Sequence, residues 1–277
     1  LYCIPMLNPD GARKYTRFNY NNVDLNRDAQ NLTQPESRLL RKVFEEVKPQ
    51  FCLNLHGQRT IFSAGLTDKS AVMSFLTPAE DEERHLSAKR SESMKIIAQI
   101  ASDLQEVLPG QIGRYDDGFN LNCTGDTFQS EGVPTVLFEE GHFPNDYTRE
   151  ATREFVVASI ISSLRSIAIG TYLDFSVEDY FAIPENAKNF NDILIKNVRI
   201  LDSIKDVSIQ YSEKLVGNKI EFIPKIERIE DKIDKYGHKV VNGDGKILEL
   251  EGRKTPVENV IVDKIFLNRE ILMVKCD

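Results

Sequence analysis

The apolar run Val133-Pro-Thr-Val-Leu-Phe138 ends directly in the polar sequence Glu139-Glu140-Gly141-His142. Apolar residues then recur at helical spacing from Phe155 to Ile167, and Gly170 follows them. A short apolar run predicts a buried strand, whereas the helical spacing predicts a helix that ends at the glycine. This stretch therefore predicts a strand followed by a helix, the unit from which layered α/β folds are built.

The same alternation precedes this stretch. Pro35 starts a helix with an apolar stripe, and the short strand Phe51-Cys-Leu-Asn-Leu-His56 follows it. The pattern over residues 78–108 predicts a long helix, and residues 110–132 are rich in Gly, Asp and Asn, which predicts a loop. Strands that alternate with helices predict an α/β core over residues 1–170.

From Thr171 onward, short β-like runs replace this alternation. The runs cover residues 192–200, 207–211, 219–223, 246–250, 260–265 and 271–274. Turn signals such as Gly217-Asn218 separate them. The sequence therefore predicts two domains, an α/β domain at residues 1–170 and a small β-rich accessory domain at residues 171–277.

Composition narrows the classes of partner. The chain has 277 residues, with 35 Lys and Arg against 43 Asp and Glu, which gives a net charge of −8. Hydrophobic residues make up 41% of it, which is enough for a buried core. The acidic balance disfavours a protein that coats nucleic acid, and no apolar run approaches the ~20 residues that span a bilayer. We therefore expect neither a nucleic-acid nor a membrane partner.

The cysteines predict no metal or disulfide framework. They are Cys3, Cys52, Cys123 and Cys276. They lie far apart and form no CxxC pair, so we expect free thiols.

The first residues, Leu1-Tyr-Cys-Ile-Pro-Met-Leu7, predict a buried strand that runs into a turn at Asn8-Pro-Asp-Gly11. They have neither the basic flank nor the small-residue cleavage site of a signal peptide. Because a domain rarely opens in the middle of a core strand, we expect further sequence upstream of Leu1.

The polar loop after this turn carries two arginines and an amide. Arg17 and Arg27 lie in one loop, and Asn26 precedes Arg27 in the run Asp24-Leu-Asn-Arg27. A guanidinium presents a planar fork of donors that matches a carboxylate, and an amide can bind a second oxygen. Two interpretations remain open: the loop binds a carboxylate, or Arg27 pairs with Asp24 or Asp28 and the loop is structural.

His56 and Glu139 each end an apolar strand, where open α/β sheets place their sites. Imidazole at such a position is a frequent metal ligand, although a single histidine is more often structural. A carboxylate at the end of a buried strand is partly desolvated, so its pKa rises toward values that suit a general base. Glu140 is the competing candidate for the base, and His142 supports either role or neither.

Taken in order, these segments resemble the zinc carboxypeptidases of the M14 type. The resemblance rests on Asn8-Pro-Asp-Gly11, on Arg17 and Asn19 before Val23-Asp-Leu-Asn-Arg27, on Leu53-Asn-Leu-His56 and on Phe138-Glu139. It covers residues 1–170 and implies a three-layer α/β/α carboxypeptidase-like domain with a mixed sheet. The tail from Thr171 lies outside it.

The resemblance also implies roles for individual residues. The metal ligand is His56, the catalytic residues are Glu139 and Arg17, and the substrate-binding residues are Asn26, Arg27 and Tyr115. In this assignment, Glu139 is the general base and acid that acts through zinc-bound water, and Arg17 stabilises the oxyanion. Asn26 and Arg27 clamp the terminal carboxylate of the substrate, and Tyr115 covers it.

The family takes its first two zinc ligands from an HxxE motif upstream of the NPDG sequence, and only seven residues precede Asn8. Catalytic zinc normally has three protein ligands and a water, so the resemblance implies one Zn²⁺ with His56 as its ligand in this chain. Either the other ligands lie upstream, which the strand-like start favours, or the chain is a metal-free relative.

Three functions therefore compete. The first is a zinc-dependent carboxypeptidase that removes a C-terminal amino acid from a peptide or amino-acid-derived substrate with a free carboxylate, and that is inactive in this chain because two zinc ligands are missing. The second is a non-catalytic protein that holds such a carboxylate with Asn26 and Arg27. The third is a related zinc amidase or deacylase that acts on N-acyl or γ-glutamyl substrates.

Overall fold

The computed structural model describes residues 1–252 and 254–275. Its helices are α1 (Pro9–Lys14), α2 (Pro35–Val47), α3 (Ala88–Leu104), α4 (Thr124–Ser130), α5 (Glu150–Ile169) and α6 (Val177–Ala182). Its strands are β1 (Cys52–Gly57), β2 (Phe62–Ala64), β3 (Met73–Leu76), β4 (Ile112–Arg114), β5 (Thr135–Glu140), β6 (Asn186–Lys188), β7 (Phe190–Ile200), β8 (Ser203–Val216), β9 (Lys219–Glu230), β10 (Tyr236–Asn242), β11 (Leu248–Leu250), β12 (Lys264–Leu267) and β13 (Glu270–Met273). Short 3₁₀ turns are formed by Leu25–Arg27 and Thr171–Asp174. The chain is thus mixed α/β, as predicted.

The first sheet has the strand order β1-β5-β3-β4 and is mixed. β1 runs parallel to β5, β5 runs antiparallel to β3, and β3 runs parallel to β4. All four residues of β3 are buried, which fits its place in the middle of the sheet. Because β1 and β5 are parallel, their carboxyl ends lie at the same edge of the sheet.

Helices α3 and α5 pack against each other and against β5. Their shared core contains Met94 and Ile97 of α3 and Phe138 of β5, each no more than 1% exposed. Tyr180 and Ile183 from the region of α6 belong to the same core. Residues beyond position 170 therefore help to bury the first sheet.

The second half of the chain forms separate sheets. One has the order β10-β7-β8-β9, and another has the order β11-β12-β13. They share a second core in which Ile193, Ile209 and Ile265 are almost fully buried. β2 pairs with β6 and so joins the two halves. The β-rich character of the tail is as predicted, and the division at residue 170 stays a prediction.

Several predicted elements are confirmed. α2 begins at Pro35, β1 covers the run before Gly57, and β5 covers the run that ends in Glu140. Gly170 ends α5 with a φ of 81°, a left-handed conformation that glycine adopts without steric cost. In these places local sequence signals and tertiary packing agree.

The amino terminus departs from the prediction. Residues 1–7 form no strand, and Leu1 is 95% exposed, because no described strand pairs with this segment. The sequence Asn8-Pro-Asp-Gly11 opens α1 instead of closing a turn. Asn8 Oδ1 accepts a hydrogen bond from the Gly11 backbone N–H at 2.9 Å, and Pro9 occupies the first turn, where its missing N–H costs nothing.

Two other predictions are wrong at their boundaries. The long helix predicted over residues 78–108 begins only at Ala88, where Ser87 caps it by accepting a hydrogen bond from the Arg90 N–H at 3.0 Å. Residues 110–132, predicted as a loop, contain β4 and α4. In addition, β3 and β10 are strands that the sequence pattern does not predict. Tertiary pairing overrides weak local propensity in these segments.

The cysteine prediction holds for the described residues. Cys3, Cys52 and Cys123 are free thiols, and Cys276 lies outside the described residues. Within residues 1–252 and 254–275, no helix has the length and apolar character needed to cross a membrane.

Candidate active site

The site is built where β1 and β5 end. In their parallel register, His56 lies directly opposite Glu139, and Gly57 lies opposite Glu140. Successive side chains of a strand point to opposite faces, so Glu139 shares the face of His56 and Glu140 does not. Two residues that are 83 positions apart in the chain (139 − 56) are thus neighbours.

His56 has the character of a neutral imidazole. Burial lowers its pKa, and the nearby Arg17 and Arg27 guanidinium groups lower it further, whereas Asp24 raises it. Its Nε2 atom is buried and has no hydrogen-bond partner among the described residues. A buried, unpartnered imidazole nitrogen costs free energy unless a ligand uses it.

Glu139 is a half-buried carboxyl with a perturbed pKa. Burial is the largest cause and raises its pKa to about 7, Arg17 lowers it, and Glu140 raises it. A carboxyl with a pKa near neutrality both accepts and returns a proton readily, which is what a general base and acid must do.

Tyr115 lies close enough to Glu139 for their charges to interact. Burial raises the pKa of Tyr115, and Glu139 raises it further. The ring packs edge-on against Phe62 at 5.2 Å between centroids, and the Tyr115 N–H donates to the Phe75 carbonyl at 2.9 Å. The structure therefore places Tyr115 near the catalytic candidates, on a backbone held against β3.

Arg17 is held by Asp24. Its Nε donates to Asp24 Oδ2 at 2.6 Å, and 58% of its side chain is exposed. The other Asp24 oxygen accepts from the Asn26 N–H at 3.0 Å and caps the 3₁₀ turn Leu25–Arg27. One carboxylate thus orders both the arginine and the turn that carries Asn26.

Asn26 and Arg27, hereafter the clamp, sit against the amino end of α4. Asn26 Oδ1 accepts from the Thr124 N–H at 2.9 Å, which leaves its amide N–H groups as donors. Arg27 Nη1 donates to Cys123 Sγ at 3.0 Å and to the Asn26 carbonyl at 2.7 Å. Burial raises the pKa of the Cys123 thiol, so it remains a neutral partner.

Arg27 pairs with neither Asp24 nor Asp28. Asp24 pairs with Arg17, and Asp28 accepts hydrogen bonds from Thr33 and Gln34. Arg27 forms no ion pair with any residue in the described part of the chain. Its charge is therefore available for an anion from outside the protein.

The described residues supply one candidate zinc ligand at this site, but they do not form a complete zinc site. The orphaned Nε2 of His56 suits a metal, but the described residues hold no group of three metal-ligating side chains around it. The one such group among them is Asp81, Glu83 and His85, which does not include His56. Exposed acidic groups of this kind are common without a metal.

Arg149 is a site residue that sequence reasoning missed. Its guanidinium donates to the carbonyls of Gln58, Glu140 and Gly141 at 2.8, 2.7 and 3.1 Å. It thereby ties together the chain segments that follow β1 and β5. Nothing in the local sequence indicates this role, since the acceptors are backbone carbonyls 8, 9 and 91 residues away.

The fold brings His56, Glu139, Arg17 and Arg27 into one electrostatic neighbourhood, as the pKa shifts of His56 and Glu139 record. Asn26 lies in the same region because it precedes Arg27 in the chain. Tyr115 lies there because it is close enough to Glu139 for their charges to interact. No family model, curated protein or solved structure matches this chain.

Proposed function

We propose that this chain carries the general base and the substrate clamp of a zinc-dependent carboxypeptidase-type hydrolase, which cleaves a C-terminal amino acid or a related amide. The observation that carries the proposal is the register pair His56–Glu139, in which a half-buried carboxyl with a pKa of about 7 lies beside a neutral imidazole with an orphaned nitrogen. This pairing supports proton transfer beside a metal-bound water.

The clamp binds the free carboxylate of the substrate. The Arg27 guanidinium has no competing carboxylate in the described chain, and the Asn26 amide keeps its N–H groups as donors because its oxygen accepts from Thr124. A charge-assisted pair between a guanidinium and a carboxylate is stronger than a neutral hydrogen bond and is directional. The clamp therefore selects substrates that end in a carboxylate.

In this proposal, His56 would hold zinc together with ligands that the described residues do not supply. When bound, the metal lowers the pKa of a coordinated water to about 7. Glu139 accepts a proton from the attacking water and returns it to the leaving amine. Arg17 places positive charge where the carbonyl oxygen becomes negative.

The three-layer arrangement is part of the same proposal. α4 contacts β1 and β5, and a Cβ atom at Gly125 of α4 would lie 3.6 Å from the Leu137 side chain. The neighbouring Phe138 side chain belongs instead to the core with α3 and α5. Because successive side chains alternate, this contact pattern supports helices on both faces of the first sheet.

Hydrolysis of a blocked dipeptide with a free carboxylate tests the proposal. The natural gene product that contains this chain is purified, stripped of metal, titrated with Zn²⁺ and assayed with acetyl-Gly-Phe. We expect Glu139→Gln to lower kcat by at least ~100-fold, as loss of a general base does. Zinc binding, measured by calorimetry, should survive in Glu139→Gln because the variant keeps His56.

Glu140→Gln is the matched control, since it removes the same charge one residue away. Its kcat should stay within a few-fold of the wild type. Equal loss in both variants would show that the effect is structural, and hydrolysis that is unchanged in Glu139→Gln would refute the assigned base.

A second candidate function is a non-catalytic protein that binds carboxylates. The single metal-ligand candidate at the site, together with the unpaired Arg27, favours it. It predicts that acetyl-Gly-Phe binds with the same affinity in the presence of chelator, that Arg27→Ala abolishes binding, and that no hydrolysis occurs at any zinc concentration. Binding that depends on zinc would exclude this candidate.

A further inference from the structure

A cavity of about 750 Å³ lies next to the candidate active site. Its wall includes Gly57 and Glu140, which directly follow His56 and Glu139. The Glu140 side chain points to the opposite face of the sheet from Glu139, so the cavity adjoins the site at the strand ends. Neither residue of the clamp lines it. The cavity is therefore a neighbour of the reacting groups and is separate from the carboxylate clamp.

The hairpin of β8 and β9 supplies the outer wall, so the β-rich tail reaches the site. Glu213 and Phe222, which are cross-strand partners in this hairpin, both line the cavity. The Phe222 ring packs against Tyr147 at 5.4 Å between centroids. The hydroxyl of Tyr15, from the loop that carries Arg17, donates to Glu213. Both strands of the hairpin thus contact the first half of the chain.

The cavity is rich in cations, although the chain as a whole has a net charge of −8. The charged side chains in its wall are Arg59, Arg149, Arg153, Lys219, Glu140 and Glu213. Arg149 is engaged by backbone carbonyls, and Arg153 pairs with Glu150 at 2.8 Å. Within the described part of the chain, neither Arg59 nor Lys219 forms an ion pair, although Arg59 lies near enough to the buried Asp192 for their charges to interact.

We propose that this cavity, the hairpin pocket, binds an anionic group on the acyl side of the scissile bond. Arg59 and Lys219 are its specificity-determining residues. The inference rests on the proposed function, because the clamp defines which part of the substrate is the leaving side. With the terminal carboxylate in the clamp and the scissile bond at Glu139, the acyl part extends toward Gly57 and the hairpin. The substrate class is therefore peptides or acyl amino acids with a second carboxylate before the scissile bond.

Binding of two isosteric peptides tests this proposal without turnover. Acetyl-Glu-Phe and acetyl-Gln-Phe are titrated into the Glu139→Gln protein by calorimetry. We expect the Glu peptide to bind roughly fivefold more tightly, as two partly exposed charge contacts allow, and the preference to weaken at high salt. Lys219→Gln and Arg59→Gln should each reduce the preference. Lys214→Gln is the matched control, because it removes a lysine from the same hairpin outside the cavity, and it should keep the preference.

The outcomes separate this proposal from the proposed function. If both peptides bind equally and Arg27→Ala weakens both, the clamp stands and the hairpin pocket is refuted. If the Glu peptide is preferred through Lys219 but Arg27→Ala changes nothing, the pocket stands as an anion site and the clamp is wrong. If neither peptide binds, or if Lys214→Gln acts as strongly as Lys219→Gln, the proposal is overturned.

Discussion

At the residue scale, the site depends on how strongly two titratable side chains are buried. The ends of β1 and β5 desolvate His56 and Glu139, which lowers the pKa of the imidazole and raises that of the carboxyl. Both shifts favour the neutral form of the side chain. Arg17 opposes the shift of Glu139 through its charge, so the exposed arginine partly offsets the effect of burial on this carboxyl.

The charge of Arg17 gives a prediction for the titration of Glu139. In metal-free protein the carboxyl should titrate with a pKa of about 7, because burial outweighs the stabilising effect of Arg17. Arg17→Gln should move this pKa above 7, since the ionised form loses a favourable partner. Glu140→Gln should move it down, since a like charge is removed. The measurement is carbon-13 NMR of the side-chain carboxyl. A shift in the same direction in both variants would contradict the electrostatic origin.

At the element scale, the two parallel strands are held together beyond their own hydrogen bonds by Arg149. The residue is in the left-handed conformation, with a φ of 61°, at the position before α5. From there its guanidinium reaches the carbonyl of Glu140, the last residue of β5, and the carbonyls of the residues that follow β1 and β5, Gln58 and Gly141. A planar fork of donors can serve three acceptors in a fixed geometry, whereas an ammonium group is a compact point charge.

Replacing Arg149 by lysine should therefore destabilise the protein and displace the strand ends. We expect a loss of ~2 kcal/mol in the free energy of unfolding, because hydrogen bonds to a charged group are lost and carbonyls are left unpaired. Denaturant unfolding measures this loss. Arg153→Lys is the control, since that residue makes only an exposed pair with Glu150 and should change stability by less than ~0.5 kcal/mol. Equal effects would argue against a positioning role.

At the scale of the whole molecule, a buried histidine pair joins the two halves. His142 follows β5, His238 belongs to β10, and their ring centroids are 4.2 Å apart. His238 also stacks on Phe190 and hydrogen-bonds the Thr60 carbonyl at 2.8 Å through Nε2. Burial lowers the pKa of His142 to about 3 and that of His238 to about 4. Both rings are therefore neutral in the folded protein at neutral pH.

This pair predicts a pH dependence of stability. Below pH 6.5 the unfolded chain binds a proton at His238 that the folded protein does not bind until about pH 4, so stability falls as the pH falls through this window. For His238 alone the loss between pH 7 and pH 5 is ~2 kcal/mol. The His238→Gln variant lacks this titrating group. The difference in unfolding free energy between the wild type and the variant should therefore decrease by ~2 kcal/mol from pH 7 to pH 5. Asp192, whose pKa is raised to about 6 mainly by burial, titrates in both proteins, so its contribution to the difference in stability cancels.

His85→Gln provides a control of opposite sign. His85 is exposed, and its hydrogen bond to Asp81 raises its pKa. It therefore stabilises the folded protein most fully below pH 6.5, and this contribution is lost as the pH rises. The gap between wild type and His85→Gln should widen as the pH falls, whereas the gap for His238→Gln narrows. If the stability differences for His85→Gln and His238→Gln changed with pH in the same direction, burial of His238 would not be the cause of the pH dependence.

The sequence by itself determined the elements whose local signals are strong and consistent. The apolar run before Glu139, the strand before Gly57 and the helix that ends at Gly170 all form where periodicity and glycine placement predict them. It also determined which residue types are available for binding and proton transfer. The reason is that strand burial and helix termination depend mainly on neighbours within a few residues.

Only the tertiary structure decided which of these residues meet. The register of β1 against β5 places His56 beside Glu139, and the loop around Arg17 and the clamp folds over them. Arg149 and the hairpin pocket escaped the sequence analysis because their contacts are backbone carbonyls and side chains from distant segments. Such contacts carry no local pattern, since they arise from strand pairing and from packing between the two halves. Residues 1–7 show that a local pattern is not sufficient. This apolar run forms no strand, because no described strand pairs with it.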